Sequence, residues 1–221
     1  SWPQNRGWRW NVKIGVIGAG NVGGTLGVRW AQAGHSVILS ARDLHSAQMK
    51  ELLRRAGGAA HAAAPQEAVM ASDILLLATP FPAAREAIAT LGNLADKILV
   101  DATNPLLSDL TGLSMGTTIS AAEQIAVWAR GAKVVKAFNT VGYNIMENPA
   151  FPAGRPVMFY CGDDAGAKRP MAELISGLGF EPADAGPLRQ ARVLEPMALL
   201  WISLALSQGY GRDIAFQLLR R

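Results

Sequence analysis

The chain has 221 residues and a formal net charge of +4, and it is 50% apolar but only 17% charged, enough for one large core or for one domain with a small appendage. That balance excludes a disordered chain, and the longest strongly apolar run, residues 197–206, is half of the roughly 20 residues a bilayer helix needs. The basic residues are scattered, the single Cys161 cannot close an internal disulfide, and three histidines have no zinc-type spacing, so no nucleic-acid, membrane or metal partner is expected.

A cytoplasmic, soluble protein is expected, and the low charge points to surface hidden between the subunits of a homodimer. The first residue is Ser1, and the opening ten residues are polar and aromatic without an apolar h-region, as in a trimmed or processed start. Trp2, Trp8 and Trp10 read as an ordered tail.

From residue 12 onward, short aliphatic runs alternate with longer helical patterns, the signature of strands joined by crossover helices. The first predicted strand is 12–17, followed by a helix over 21–33 that stops at Gly34 and a second strand over 36–40. A helix over 46–56 has Ser46 as N-cap and ends at Gly57-Gly58; 59–63 is a weak third strand and 65–71 a short helix. Residues 74–78 form an apolar run of the kind buried on both faces of a parallel sheet. A helix over 82–91, a fifth strand over 98–101, a helix over 121–129 and a sixth strand over 134–137 follow. This order predicts an α/β fold, a Rossmann-type doubly wound parallel sheet.

Beyond Tyr143 the texture changes. Pro149, Pro152, Gly154 and Pro156 bridge to a strand over 157–161, a helix over 165–178, a strand near 180–182 and a long helical tail from about Gln190. The tail carries Met197-Ala198-Leu199-Leu200-Trp201-Ile202, apolar nearly all round, which requires burial against its own sheet or against a partner.

The sharpest motif is Gly18-Ala19-Gly20-Asn21-Val22-Gly23, directly after the first strand and opening the next helix. In that place Gly18 permits a tight turn, Gly20 lets backbone N–H groups approach a pyrophosphate at the positive helix end, and Gly23 permits close packing of helix on strand. Dinucleotide binding is expected. Where NAD-preferring sites carry an acidic residue about 20 positions on, this chain has Ser40-Ala41-Arg42. Arg42 can pair with a 2′-phosphate as a bidentate donor and no carboxylate replaces it, so NADP(H) is the expected cofactor. Asp43 offsets part of the charge, and His45 and Ser46 read as loop and cap residues.

Three segments fall at the carboxyl ends of the fourth, fifth and sixth strands, where an open α/β sheet takes its ligand. They are Ala78-Thr79-Pro80-Phe81, Asp101-Ala102-Thr103-Asn104-Pro105 and Lys136-Ala137-Phe138-Asn139-Thr140. Small, apolar or amide-bearing residues suit the walls of a nicotinamide site. Ala78, Thr79, Pro80, Asn104 and Ala137 are assigned to the cofactor, with Thr79, Pro80 and Ala137 placing its nicotinamide, and Phe81, Asn139 and Thr140 to the acceptor, with Phe81 equally readable as a core-capping aromatic.

Ketone reduction needs a proton donor near the carbonyl oxygen. His35, His45 and His61 all fall elsewhere, and of the remaining candidates, Lys136 and Tyr143, the first precedes the loop far enough to point away. No side chain is assigned as an obligatory acid or base. Transfer to a second ring cofactor, a flavin or deazaflavin, needs alignment of two rings more than an acid, and is favoured.

With these residues in hand, the sequence from residue 12 to the C-terminus resembles the coenzyme F420-dependent NADP oxidoreductase family, whose relatives include the cytosolic NADPH-binding domains of the STEAP metalloreductases. Besides the glycine motif, the resemblance rests on Ala41-Arg42, on Val135-Lys136-Ala137-Phe138-Asn139-Thr140, on Cys161-Gly162-Asp163-Asp164, and on Asp184-Ala185-Gly186-Pro187-Leu188 with Arg192 and Glu195 beyond it. It implies an NADP-binding Rossmann domain over 12–142 and a small C-terminal α+β lobe over 143–221 that closes the cleft and dimerises. Archaeal members carry a hydroxyl residue where this chain has Ala19 and Ala41, and a histidine in place of Asn139. The activity implied is hydride transfer between NADP(H) and a planar small-molecule redox acceptor, coenzyme F420 first. The competing readings are an NADPH-dependent flavin or ferric reductase, an imine reductase of the pyrroline-carboxylate type, and an NADPH-binding redox sensor without turnover.

Overall fold

The computed structural model describes residues 11–221, so the Trp-rich stretch read above as an ordered tail lies outside the described residues. Eight strands, β1 (Lys13–Ile17), β2 (Ser36–Ser40), β3 (Ala60–Ala62), β4 (Ile74–Leu77), β5 (Ile98–Asp101), β6 (Lys133–Lys136), β7 (Val157–Gly162) and β8 (Glu181–Asp184), form one sheet in the order β3-β2-β1-β4-β5-β6-β7-β8. Every neighbouring pair is parallel except β6 and β7. The chain starts at the centre, winds outward to β3, returns to β4 and winds outward the other way. That reversal puts the topological switch point, where open sheets bind ligands, at the carboxyl ends of β1 and β4.

The helices are α1 (Asn21–Gln32), α2 (Ala47–Ala56), α3 (Pro65–Ala71), α4 (Phe81–Ala89), α5 (Ala121–Trp128), α6 (Tyr143–Glu147), α7 (Ala165–Gly177) and α8 (Ala191–Ile202). Alternation along the strands sorts them into two layers. Ile14, Val16, Ile74, Leu76, Val100 and Val135 face α1, α2, α6 and α7. Ile17, Leu75, Leu77, Leu99 and Val134 face α3, α4, α5 and α8. Both faces are covered, which is why the central strands read as unbroken apolar runs.

Local chemistry marks the helix starts. Ser46 caps α2 by accepting from the Met49 N–H at 3.2 Å, Asp164 caps α7 by accepting from the Ala167 N–H at 2.7 Å, and Ser120 with Glu123 makes a reciprocal capping box on α5.

One expectation for the C-terminal region needs correction. The helical tail stops well before residue 221: α8 passes into a π turn over Ser203–Ser207, and Gly209, at φ +78°, turns the chain out of helix. The remainder is tied across the sheet edge by Trp201 Nε1 donating to the Ile214 carbonyl at 2.8 Å and by the Val157 N–H donating to the Phe216 carbonyl at 2.9 Å. The burial that α8 requires is met on one side within this chain. Leu194, Ala198 and Trp201 face the chain's own core, whereas Val193 is 61% and Leu200 51% exposed.

Candidate functional site

The glycine loop connects β1 to α1. Gly18 has φ +98°, a conformation that side-chain-bearing residues rarely adopt, and its N–H and that of Ala19 both donate to the Ser40 carbonyl, at 2.9 and 3.2 Å. The loop is therefore tied to the carboxyl end of β2. A Cβ on Gly20 would meet nothing within 4 Å, so this side of the turn is open. Gly20 is also the N-cap of α1, supplies no side-chain cap, and is followed by a first turn without an acid. The N–H groups of Asn21, Val22 and Gly23 thus have no acceptor inside the helix, and they sit at its positive end. Gly23 is hemmed in by the loop itself and by Ala78.

At the tip of β2, Ser40 is buried and its Oγ has no hydrogen-bond partner. Arg42 is exposed, and it takes part in none of the ion pairs or hydrogen bonds among the described residues. Its neighbour Asp43 turns back into its own loop, where Oδ1 accepts from the His45 N–H at 2.8 Å. The guanidinium is left without a partner carboxylate. Ala41 is half-buried against the core beside it.

Along the carboxyl edge, the Ala78 N–H donates to the Ile17 carbonyl at 2.9 Å, which seats Ala78 and Thr79 against the glycine loop, and Pro80 caps α4. The loops after β5 and β6 are joined by a reciprocal amide pair. Asn104 Nδ2 donates to the Asn139 carbonyl at 3.0 Å, and Asn139 Nδ2 donates to Asn104 Oδ1 at 3.2 Å. Asn139 Nδ2 also donates to the Leu194 carbonyl of α8 at 3.0 Å. Four buried oxygens on this edge have no partner: Thr79 Oγ1, Thr103 Oγ1, Asn139 Oδ1 and Thr140 Oγ1.

Ala137 is wholly buried beneath the loop. Phe138 takes φ +61° and packs edge-on against Trp30, with ring centroids 5.6 Å apart. Phe81 is 9% exposed and stacks on Trp128 at 5.8 Å, so most of its ring serves the core under α4 and little faces the edge.

The two candidate proton donors differ in their fate. Lys136 is fully buried, and Nζ donates to Asp101 Oδ2 at 2.9 Å and to the Thr103 carbonyl at 2.6 Å, and lies 3.0 Å from Glu195 Oε1. All three ammonium hydrogens are engaged. Burial pushes Lys136 down, but Asp101 and Glu195 outweigh it and hold the ammonium above its ordinary range. Glu195 in turn accepts from the first two N–H groups of α5, Ala121 at 2.9 Å and Ala122 at 3.1 Å, whose positive end offsets the second carboxylate. Tyr143 opens α6 with the Arg212 guanidinium 5.4 Å above its ring. Cys161, buried and donating to the Leu188 carbonyl at 3.6 Å, is pushed up to about 12 by that burial and is no nucleophile near neutral pH.

The triad of Asp101, Lys136 and Glu195 was not assigned from sequence, although one signal was there. Asp101 and Lys136 are register partners on adjacent strands, and a lysine inside a doubly covered sheet requires a counter-charge. Among the described residues no group of three or more His, Cys, Asp or Glu is placed to hold a metal ion, and no helix is long and apolar enough to cross a membrane.

The residues present fit a phosphorylated dinucleotide: an open glycine cradle on a positive helix end, an unpaired guanidinium with an orphaned hydroxyl at the second strand tip, and an edge of unpaired amide and hydroxyl oxygens. Residues 13–105 match the family model described as NADP oxidoreductase, coenzyme F420-dependent. Over 210 residues the chain is 31% identical to the F420-dependent NADP reductase of Methanothermobacter thermautotrophicus, covering 87% of this chain and 89% of that one. It is 30% identical over 194 residues to the metalloreductase STEAP3 of Rattus norvegicus, covering 85% of this chain but only 36% of the metalloreductase. Among solved structures, a candidate F420-dependent NADP reductase from Arthrobacter sp. FB24 superposes with a TM-score of 0.86 at 32% identity, over 95% of this chain and all of that one. The chain therefore belongs to the coenzyme F420-dependent NADP oxidoreductase family, and it is an oxidoreductase of the NADP-dependent kind.

Proposed function

We propose that the chain binds NADP(H) across the switch point and passes hydride between its nicotinamide and a planar redox acceptor, coenzyme F420 before any other. The N–H groups of Asn21, Val22 and Gly23, with the backbone of Gly18, Ala19 and Gly20, would hold the pyrophosphate. Arg42, with Ser40 and Ala41, would hold the 2′-phosphate. The loops bearing Ala78, Thr79, Pro80, Asn104 and Ala137 would place the nicotinamide, and Asn139 and Thr140, with the small exposed part of Phe81, would face the acceptor. Once bound, the cofactor supplies a hydride from its nicotinamide ring, and the chain's task is to align two rings and exclude water.

One observation carries the choice of acceptor. The lysine nearest the edge has every donor engaged with Asp101, Thr103 and Glu195, so a carbonyl substrate would find no free ammonium to protonate its oxygen. An acceptor that is itself a ring cofactor has no such need. The F420-dependent relatives support the same reading, and the division into a nucleotide-binding part over 12–142 and an acceptor-side lobe over 143–221 goes with it, as does a cytoplasmic setting. A flavin or ferric reductase is the second reading, favoured by the likeness to STEAP3, of which this chain spans 36%.

Steady-state turnover of NADPH with F420, FMN and a cyclic imine separates the readings. Reduction of F420 with NADPH preferred over NADH is expected. Turnover of FMN alone would move the assignment to the second reading. Turnover of the imine alone, lost in Tyr143→Phe, would overturn both.

A further inference from the structure

Beneath the acceptor edge, hydrogen bonds close a ring through three separate elements. Lys136 Nζ donates to the Thr103 carbonyl at 2.6 Å, and Thr103 leads into Asn104. The side chain of Asn104 exchanges hydrogen bonds with Asn139, at 3.0 and 3.2 Å. Asn139 Nδ2 reaches the Leu194 carbonyl at 3.0 Å, Leu194 is followed by Glu195, and Glu195 Oε1 returns to Lys136 Nζ at 3.0 Å. Asp101 braces the start of the β5 loop, accepting from the Thr103 N–H at 2.8 Å with one oxygen and from Lys136 at 2.9 Å with the other. The loop after β5, the loop after β6 and helix α8 are thereby locked to one buried ammonium.

Three costly features gather on, or directly beneath, the two loops that this ring holds. The ion cluster is fully buried and carries two carboxylates to one ammonium, where apolar side chains of like volume would serve stability as well. Phe138 is held at φ +61°, a conformation strained for an aromatic residue. Thr103 Oγ1, Asn139 Oδ1 and Thr140 Oγ1 are buried without partners, which folding alone disfavours. Both hydrogens of the Asn139 amide are used, and a flipped amide would set its oxygen against the Asn104 and Leu194 oxygens, so the side chain has one orientation. Costly groups in fixed positions at the edge where an open sheet takes its ligand mark preorganisation.

We propose that Lys136 is a positioning residue for the nicotinamide half of the cofactor: through the ring it sets the loops after β5 and β6 against α8, so that the slot for the ring is formed before binding. The proposal rests on the NADP(H) reading above. It assigns Lys136 no contact with either ligand.

The test compares NADPH with adenosine 2′,5′-bisphosphate, which carries the adenine half and no nicotinamide, by calorimetry on the full chain. Lys136→Met alone would leave two buried carboxylates facing each other and can unfold the protein. The neutral triple variant Asp101→Asn/Lys136→Met/Glu195→Gln keeps the side-chain volumes and is the decisive one, with its melting temperature measured alongside. In that variant the bisphosphate should bind within about twofold of wild type, while NADPH should weaken by about tenfold or more and lose the restricted fluorescence anisotropy of its bound ring. Unchanged NADPH affinity in the folded variant would overturn the proposal. So would equal loss of both ligands, which is what a merely structural role would produce. Failure of the wild type to bind the bisphosphate at all would instead sink the NADP(H) reading, and the proposal with it.

Discussion

A Cβ atom built on Gly23 stands 2.1 Å from the carbonyl oxygen of Gly18, and 3.0 Å from both the Ala78 Cβ and the Val16 Cγ1. The crowding comes from the loop's own backbone, so no rotation of a flexible side chain relieves it. Gly23→Ala should destabilise the fold by about 1–3 kcal/mol or more, with loss of NADPH binding following from the displaced loop. Gly20→Ala separates the two effects. Its Cβ would meet nothing in the protein and its φ of −80° suits any residue, so stability should stay within about 0.5 kcal/mol. NADPH affinity should nevertheless fall roughly tenfold, ~1.4 kcal/mol, because that Cβ would occupy the approach to the helix end. Urea unfolding and calorimetry on the two variants check this, and equal stability losses would refute it.

Arg42 makes no contact with any charged partner among the described residues, so removing it costs the fold nothing. Arg42→Ala should leave the melting temperature unchanged and weaken NADPH by roughly 1.5–3 kcal/mol, the worth of a hydrogen bond to a charged group. NADH, which lacks the 2′-phosphate, should bind the variant as it binds wild type. Equal losses for the two nucleotides would remove Arg42 from the phosphate.

Most of the sheet was legible because a doubly covered strand cannot hide. Ile74–Leu77 needs an unbroken apolar run to satisfy both layers, and Ser46 and Gly57 bracket α2 by chemistry that acts within a few residues. The glycine loop was legible for the same reason, since its conformation and crowding are local demands. What stayed hidden depends on partners distant in sequence. Lys136 meets Glu195 only after α8 folds back over α5, 59 positions on, and no spacing rule anticipates it. The left-handed Phe138 and the antiparallel entry of β7 likewise belong to tertiary packing rather than to propensity. The final helix was legible only in part, because an all-apolar stretch says that burial is needed without saying by what.

That helix motivates the third prediction. Val193 and Leu200 project from α8 at 61% and 51% exposure, and Leu206 from the turn after it at 51%. Leu200 and Leu206, with Leu110 and Pro196, line a groove of about 570 Å³. An apolar stripe of this kind, in a chain with few charges, fits a subunit interface. Wild type should elute as a dimer in light-scattering chromatography, and Leu200→Glu should shift it to monomer at micromolar concentration without unfolding it. A wild type that stays monomeric would count against the homodimer.

Acid stability offers a test of the contact between α5 and α8. Arg192 holds Glu123 with a bidentate pair, Nε at 2.9 Å and Nη2 at 2.6 Å, while the N–H and hydroxyl of Ser120 both donate to Oε2 at 2.8 Å. The Arg192 hydrogen bonds, opposed by burial and reinforced by Ser120, pull the Glu123 carboxyl from 4.5 down to about 2. A carboxyl whose folded-state value lies below its unfolded value contributes stability that is complete above pH 4.5 and disappears as pH falls toward 2. Arg192 is 38% exposed, so solvent screening reduces the effect to about 1–2 kcal/mol. Glu123→Gln should therefore be less stable than wild type at pH 7 by that amount, and the gap should close between pH 4.5 and pH 2, because only wild type loses the charge there. Wild-type and variant unfolding curves that run parallel through that interval would show that the pair contributes nothing through ionisation.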